Sequence, residues 1–186
     1  MLDKNAAVYG DLDRILVTRE QISQAVQKLG RQITADYQGD ELIAVCILKG
    51  AAPFFTDLIR DIDLPLTIEF MSVSSYSGTS TTGVVRILKD LDRNIENKRV
   101  LIVEDIVDSG KTLYYLTRVL MQRHPKDIRI ATLLDKPARR VVDLSVDYSC
   151  FDIPDAFVVG YGLDYNEKYR NLPDIGVLQE RIYKES

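Results

Sequence analysis

Residues 99–113 read RVLIVEDIVDSGKTL. The apolar run of Val100, Leu101, Ile102 and Val103 meets two adjacent acids, Glu104 and Asp105. A third acid, Asp108, then opens the turn of Ser109, Gly110, Lys111 and Thr112. A short, fully apolar run of this kind is expected in a strand covered on both faces, as in a parallel sheet. The small residues behind it suit the mouth of a helix, where exposed backbone N–H groups and the helix dipole attract an anion. Ser109 and Thr112 add hydroxyls, Gly110 allows close approach and Lys111 adds charge, so the turn reads as a phosphate cradle. A plain N-cap is the alternative. The turn is not a Walker loop, because GxxxxGKT would need glycine where Asp105 stands. Glu104 and Asp105 can accept hydrogen bonds from vicinal hydroxyls or hold Mg²⁺ indirectly, with a solvated turn as the alternative. A phosphate cradle beside diol acceptors matches a ribose 5-phosphate.

Outward from this stretch, strand and helix patterns alternate. Residues 18–21, TREQ, have capping-box form, and Ile22, Val26, Leu29 and Ile33 recur at helical spacing, predicting a helix over 18–37. Residues 42–48, LIAVCIL, predict a buried strand that leads through KGAAP to a short helix carrying Phe54, Phe55, Leu58 and Ile59. Further strands are expected over 66–73, 84–91, 128–134, 148–153 and 157–161, completing the set, with a helix over 112–123. The order implies an α/β fold with a parallel sheet and right-handed crossovers. Ligands in such sheets bind beyond the carboxyl ends of the strands. The unusual loops after Leu48, Val73 and Val103 all lie there. No repeat or linker interrupts the 186 residues, which are expected to form one domain.

Composition narrows the function. With 24 Lys+Arg against 28 Asp+Glu, the net charge is -4, and no like-charged block occurs. That opposes nucleic-acid binding through a broad basic surface. Cys46 and Cys150 sit in apolar runs without a CxxC partner and read as core residues. The only histidine, His124, precedes Pro125 at a helix end and reads as a surface cap, and no Ser-His-Asp or Cys-His pairing suggests a covalent nucleophile. No apolar stretch approaches the roughly 20 residues of a membrane span, and no signal peptide is evident, so a cytoplasmic protein is expected.

The stretch 100–112 closely resembles the phosphoribosyl-diphosphate (PRPP) motif of type I phosphoribosyltransferases. LKG (48–50), SSY (74–76) with its polar loop, and PDAFVVGYGLDYNE (154–167) followed by Arg170 resemble the hypoxanthine-guanine branch. The resemblance implies the type I fold, a parallel sheet flanked by helices with a small hood over the active site and a lid at about 74–86. It implies a purine-salvage transferase that converts PRPP and hypoxanthine or guanine to IMP or GMP plus diphosphate, with Mg²⁺. Glu104 and Asp105 would hold the ribose hydroxyls, and Asp108, Ser109, Gly110, Lys111 and Thr112 the 5-phosphate. Asp108 would also be the general base at purine N7. Lys136 would donate to the purine 6-oxo group, Phe157 would stack on the base, and the backbone of Val158 would read its edge. Asp164 would serve the purine side and, with Glu104 and Asp105, the metal. Lys49, Gly50, Ser75, Tyr76 and Arg170 would hold diphosphate, in a loop where the family can adopt a cis peptide at Lys49–Gly50. Where some relatives have lysine before the stacking aromatic, this chain has Ala156. A homo-oligomer, dimer or tetramer, is expected, with no membrane or nucleic-acid partner. Alternatives of the same fold are a PRPP-sensing nucleic-acid-binding regulator or a transferase preferring xanthine.

Overall fold

The computed structural model describes residues 8–75 and 85–184. In chain order it contains β1 (Leu12–Val17), α1 (Arg19–Asp36), β2 (Leu42–Leu48), α2 (Ala52–Leu58), β3 (Leu66–Ser75) and β4 (Val85–Lys89). Then follow β5 (Arg99–Val107), α3 (Lys111–Met121), β6 (Asp127–Asp135), β7 (Tyr148–Asp152), β8 (Val158–Val159), β9 (Ile175–Leu178) and the turn-length α4 (Glu180–Tyr183). A six-stranded sheet runs β4-β3-β2-β5-β6-β7 and a three-stranded sheet runs β1-β9-β8.

The large sheet is sandwiched, which explains its continuous apolar strands. Along β2, Ala44 and Cys46 face a core made with Ile22, Val26, Leu29 and Ile33 of α1 and Phe54, Phe55 and Leu58 of α2. The alternate residues Ile43, Val45 and Ile47 face Leu113, Leu116 and Leu120 of α3 on the other side. Adjacent residues of a strand point to opposite faces, so a strand buried twice must be apolar throughout. Helix α1 starts where its capping box predicts: the Thr18 side chain accepts from Gln21 N–H while the Gln21 side chain accepts from Thr18 N–H.

Three expectations are corrected. Strand β4 runs antiparallel to β3, pairing Ser74 with Arg86 and Ser75 with Val85, so the edge of the sheet is mixed. These pairs also place both ends of the expected 74–86 lid in strands, while residues 76–84, Tyr76 among them, lie outside the described residues. The expected strand over 157–161 is only Val158–Val159, and it belongs to the small sheet. The strand set was also incomplete, because β1 and β9 pair with each other antiparallel. This small sheet is the hood, packed around Leu12, Val159, Tyr169, Leu172 and Leu178. Cys46 is buried and Cys150 partly so, as expected of packing residues. His124 is exposed past the end of α3, with a left-handed φ of 54°.

Candidate active site

The carboxyl ends of β2, β5 and β6 carry the chemically active residues to one edge of the sheet. After β2, the Leu48–Lys49 peptide is cis, one residue before the expected position. Gly50 then passes so close to β5 that a Cβ on it would stand 1.7 Å from Asp105 Oδ2. Gly162, at φ +100°, crosses next, where a Cβ would stand 2.0 Å from the Gly50 carbonyl oxygen. Both crossings need glycine, the second for its dihedral as well as for space.

The loop holding Gly162 is tight, with Tyr161, Asn166, Glu167 and Tyr169 all at positive φ. Such residues are held by surrounding contacts. Arg170 supplies several of them. It donates to the Gly162 carbonyl at 2.7 Å and pairs with Asp164 at 2.8 Å and Glu167 at 3.4 Å. Lys49 meets Glu167 at 3.1 Å. Lys49 and Arg170 therefore share one acidic neighbour. The buried Nε of Arg170 has no hydrogen-bond partner among the described residues.

Glu104 and Asp105 leave β5 side by side. The Asp105 N–H donates to Glu104 Oε1 at 3.1 Å, and the Ile106 N–H donates to Asp105 Oδ1 at 2.8 Å. Burial, joined by the neighbouring Asp105 charge, holds the Glu104 carboxyl well above its ordinary range. Burial also raises Asp105, against its hydrogen bonds and the Arg170 charge. Beyond them, Gly110 adopts a left-handed φ of 80° and caps α3, which begins at Lys111. Glu104, Asp108, Ser109, Gly110 and Thr112 line a cavity of about 200 Å³ at this helix start. The turn is braced from outside by Val141 N–H, which donates to the Ser109 carbonyl at 3.1 Å. Arg140 lies against Gly110 and pairs with Asp135.

A second cavity, about 760 Å³, opens between this edge and the hood and is lined by Asp108, Lys136, Arg139, Phe157 and Tyr183, among others. Lys136 is buried, and its ammonium donates to the Ala156 carbonyl at 2.8 Å. It also stands 3.8 Å from Asp108 and 3.6 Å from Asp155. Arg139 bridges the same two acids, at 2.7 Å to Asp108 and 2.8 Å to Asp155. Arg139 holds the Asp155 carboxyl below its usual range. Phe157 is 38% exposed and lines this cavity, with the Tyr183 ring stacked on it.

The structure thus gathers Asp108, Lys136 and Phe157 in one cavity, and Asp108 also lines the cavity at the start of α3. Val158 is buried in β8 behind Phe157. Asp164 faces Arg170 and is not among the residues lining the cavity, so it stands on the Lys49–Arg170 side. Ser75 ends β3 at the same sheet edge. Among the described residues, no three acidic, histidine or cysteine side chains cluster closely enough to hold a metal by themselves. The hard oxygen donors of Glu104, Asp105 and Asp164 still suit Mg²⁺, which keeps many waters and takes the rest of its shell from substrate phosphates.

Sequence reasoning missed Arg139, Arg140 and Asp155. The signal was present in the two adjacent arginines that follow Lys136, Pro137 and Ala138, just past a strand's carboxyl end. Tyr183 gave no such signal.

The model of the phosphoribosyl transferase domain matches residues 15–166. The chain is 51% identical to a hypoxanthine-guanine phosphoribosyltransferase of Streptococcus thermophilus over 174 residues, 93% of this chain and 97% of that one. A Bacillus subtilis protein of the same name is 50% identical over 175 residues, 94% and 97% of the two chains. A crystal structure of a hypoxanthine phosphoribosyltransferase from Staphylococcus aureus superimposes with a TM-score of 0.93 at 52% identity, covering 96% of this chain and 98% of that one. With the PRPP-type turn at the end of β5 and these likenesses over nearly the whole length, the chain belongs to the phosphoribosyl transferase family.

Proposed function

We propose that the protein transfers the 5-phosphoribosyl group of PRPP to hypoxanthine or guanine, forming IMP or GMP and diphosphate. One observation carries this reading: a single cavity presents a proton acceptor (Asp108), a buried donor (Lys136) and an aromatic side chain (Phe157) beside an anion-binding turn.

Each residue then has a task. Backbone N–H groups at the start of α3, with Ser109 and Thr112, hold the 5-phosphate. Glu104 and Asp105 accept from the ribose hydroxyls. Their proximity and burial favour a site that also carries positive charge, such as the oxocarbenium-like sugar of the transition state. Lys49 and Arg170 bind diphosphate, and the unpartnered Arg170 Nε supports that role. Gly50 and Ser75 place backbone beside it. Purine N9 attacks C1 as the C1–O bond breaks, its electron pair leaving with diphosphate, while Asp108 takes the N7 proton. Arg139 keeps the Asp108 carboxylate aimed into the cavity. Lys136 donates to the 6-oxo group, Phe157 stacks on the ring, and the strand at Val158 lies along its edge. Asp164 and the Glu104–Asp105 pair would be the residues to hold Mg²⁺, which would supply charge neutralisation of the diphosphate.

The chain acts as one domain and assembles as a dimer or tetramer, for which exposed Ile68, Leu88, Tyr115 and Met121 offer apolar surface. No helix among the described residues is long and apolar enough to cross a membrane, in keeping with a cytoplasmic enzyme. A spectrophotometric assay with PRPP, Mg²⁺ and five bases tests the reading. Hypoxanthine and guanine should react, and xanthine and adenine should be poor. Turnover of a pyrimidine alone would overturn it.

A further inference from the structure

The aromatic face proposed for the base already has an occupant. The Tyr183 ring stacks on Phe157 with centroids 4.8 Å apart and planes 19° apart. Phe157 has a second aromatic neighbour, Tyr165, but that ring meets it at 87° with centroids 5.6 Å apart. Tyr183 lines the cavity shared with Asp108 and Lys136, and Tyr165 does not. The stacked pair of Phe157 and Tyr183 thus belongs to the lining of the cavity that holds Asp108 and Lys136.

A purine inserted between two rings needs about twice the stacking distance, near 7 Å, so the observed spacing leaves no room for a third ring. Resting on the proposed base site, we infer that Tyr183 is a competing occupant of the purine face of Phe157, and that a bound base displaces it and turns the α4 segment outward. Tyr183 thereby sets the apparent affinity for the base without touching the reacting atoms.

The anchoring of the segment fits this. Up to Gln179 the chain is fastened to the hood: Gln179 N–H donates to the Asp11 carbonyl at 3.0 Å, and its side-chain amide donates to Leu12 and Gly10 carbonyls at 2.9 and 3.1 Å. Beyond it, the ion pairs are exposed, Lys184 with Glu180 at 2.7 Å and Arg181 with Asp11 at 3.6 Å. Exposed pairs of this kind resist displacement weakly. Ile182 and Tyr183 only flank the hood core. Gln179 is the natural hinge.

The test compares wild type, Tyr183→Ala and Tyr183→Phe by calorimetric titration with GMP and with ribose 5-phosphate, which has no base, and by steady-state kinetics. Loss of one aromatic stack should tighten GMP binding and lower the KM for hypoxanthine by roughly three- to tenfold in the alanine variant. Ribose 5-phosphate affinity and kcat should not move. The phenylalanine variant, which keeps the ring, should match wild type. Unchanged or weaker GMP binding by Tyr183→Ala would overturn the inference, as would equal tightening of ribose 5-phosphate. Failure of the underlying site reading would instead show as no GMP binding by wild type.

Discussion

Adding a single methyl group at Gly50 should disable the site from its centre. A Cβ there would stand 1.7 Å from Asp105 Oδ2 and 2.7 Å from its Cγ, far inside contact distance. Asp105 has little freedom to yield, because its other oxygen is held at 2.8 Å by the Ile106 N–H and the side chain lies deep at the end of β5. The strain must move either the carboxylate or the Lys49–Gly50 backbone. Overpacking of this kind costs about 1–3 kcal/mol. At about 2–4 °C per kcal/mol for a chain of this size, Tm should fall by roughly 2–12 °C. Displacing the Asp105 carboxylate, proposed above to hold the ribose, by about 1 Å should lower kcat/KM for PRPP by roughly 10²-fold. Gly10→Ala is the control, since nothing lies within 4 Å of its Cβ and it should be neutral. Thermal unfolding and initial rates with varied PRPP read both effects. The close approach is refuted if Gly50→Ala matches Gly10→Ala in Tm and keeps the wild-type kcat/KM for PRPP.

Asp108→Asn should slow turnover by roughly 10²–10⁴-fold while leaving the KM for PRPP near wild type, because the amide oxygen can still accept from Arg139 but the base is lost. Steady-state rates close to wild type would remove Asp108 from that role. Lys136→Gln should lose efficiency with hypoxanthine and narrow the gap to adenine, since the buried ammonium only donates whereas the amide can present an oxygen to a 6-amino group. Competition assays that leave the base ratio untouched would sink this assignment. Glu104 carries a linkage prediction. Its folded carboxyl is held above the ordinary 4.5, chiefly by burial, so the protonated form is the stabilising one. That stability is present below about 4.5 and is lost as pH rises through the raised value. In metal-free buffer Glu104→Gln should therefore raise Tm at pH 7 and change it little at pH 4, while weakening PRPP binding. Equal Tm shifts at the two pH values would contradict the burial argument.

What could be read in the sequence was whatever a single strand or turn encodes locally. The runs 42–48 and 100–107 announced themselves because both faces of each strand are covered, and the capping box at Thr18 marked the start of α1 to the residue. The carboxylates and the turn after Val103 were legible for the same reason. Relations between distant segments were not. Strand β1 breaks its alternation, with register shifts between Leu12 and Arg14 and between Ile15 and Val17, so no period-2 signal survives. The direction of β4 is set by its partner, and periodicity carries no direction. A lysine such as Lys136 reads as solvated until Ala156, Asp108 and Asp155 are seen around it. Arg139 gained meaning only when Asp108 and Asp155, 31 and 16 residues away, were found on its two nitrogens.

The pairing of β1 with β9 has a further consequence for how the protein comes into being. Leu12 lies opposite Leu178, so the hood is closed by segments made at opposite times during synthesis. The last strand of the large sheet ends at Asp152, and its parallel strands and helices can begin to collapse as the chain emerges, although Val158, Leu163 and Ile175 join one of its cores later. Through that interval β1 has no partner, and its edge is open to pairing with another chain. Closing so long a loop is the slow, entropically costly step. The groups proposed to bind phosphate and ribose would thus be assembled before the wall that holds Phe157 exists. A ligand resembling PRPP could steady the nascent sheet, whereas a purine has nothing to stack on until the hood has formed.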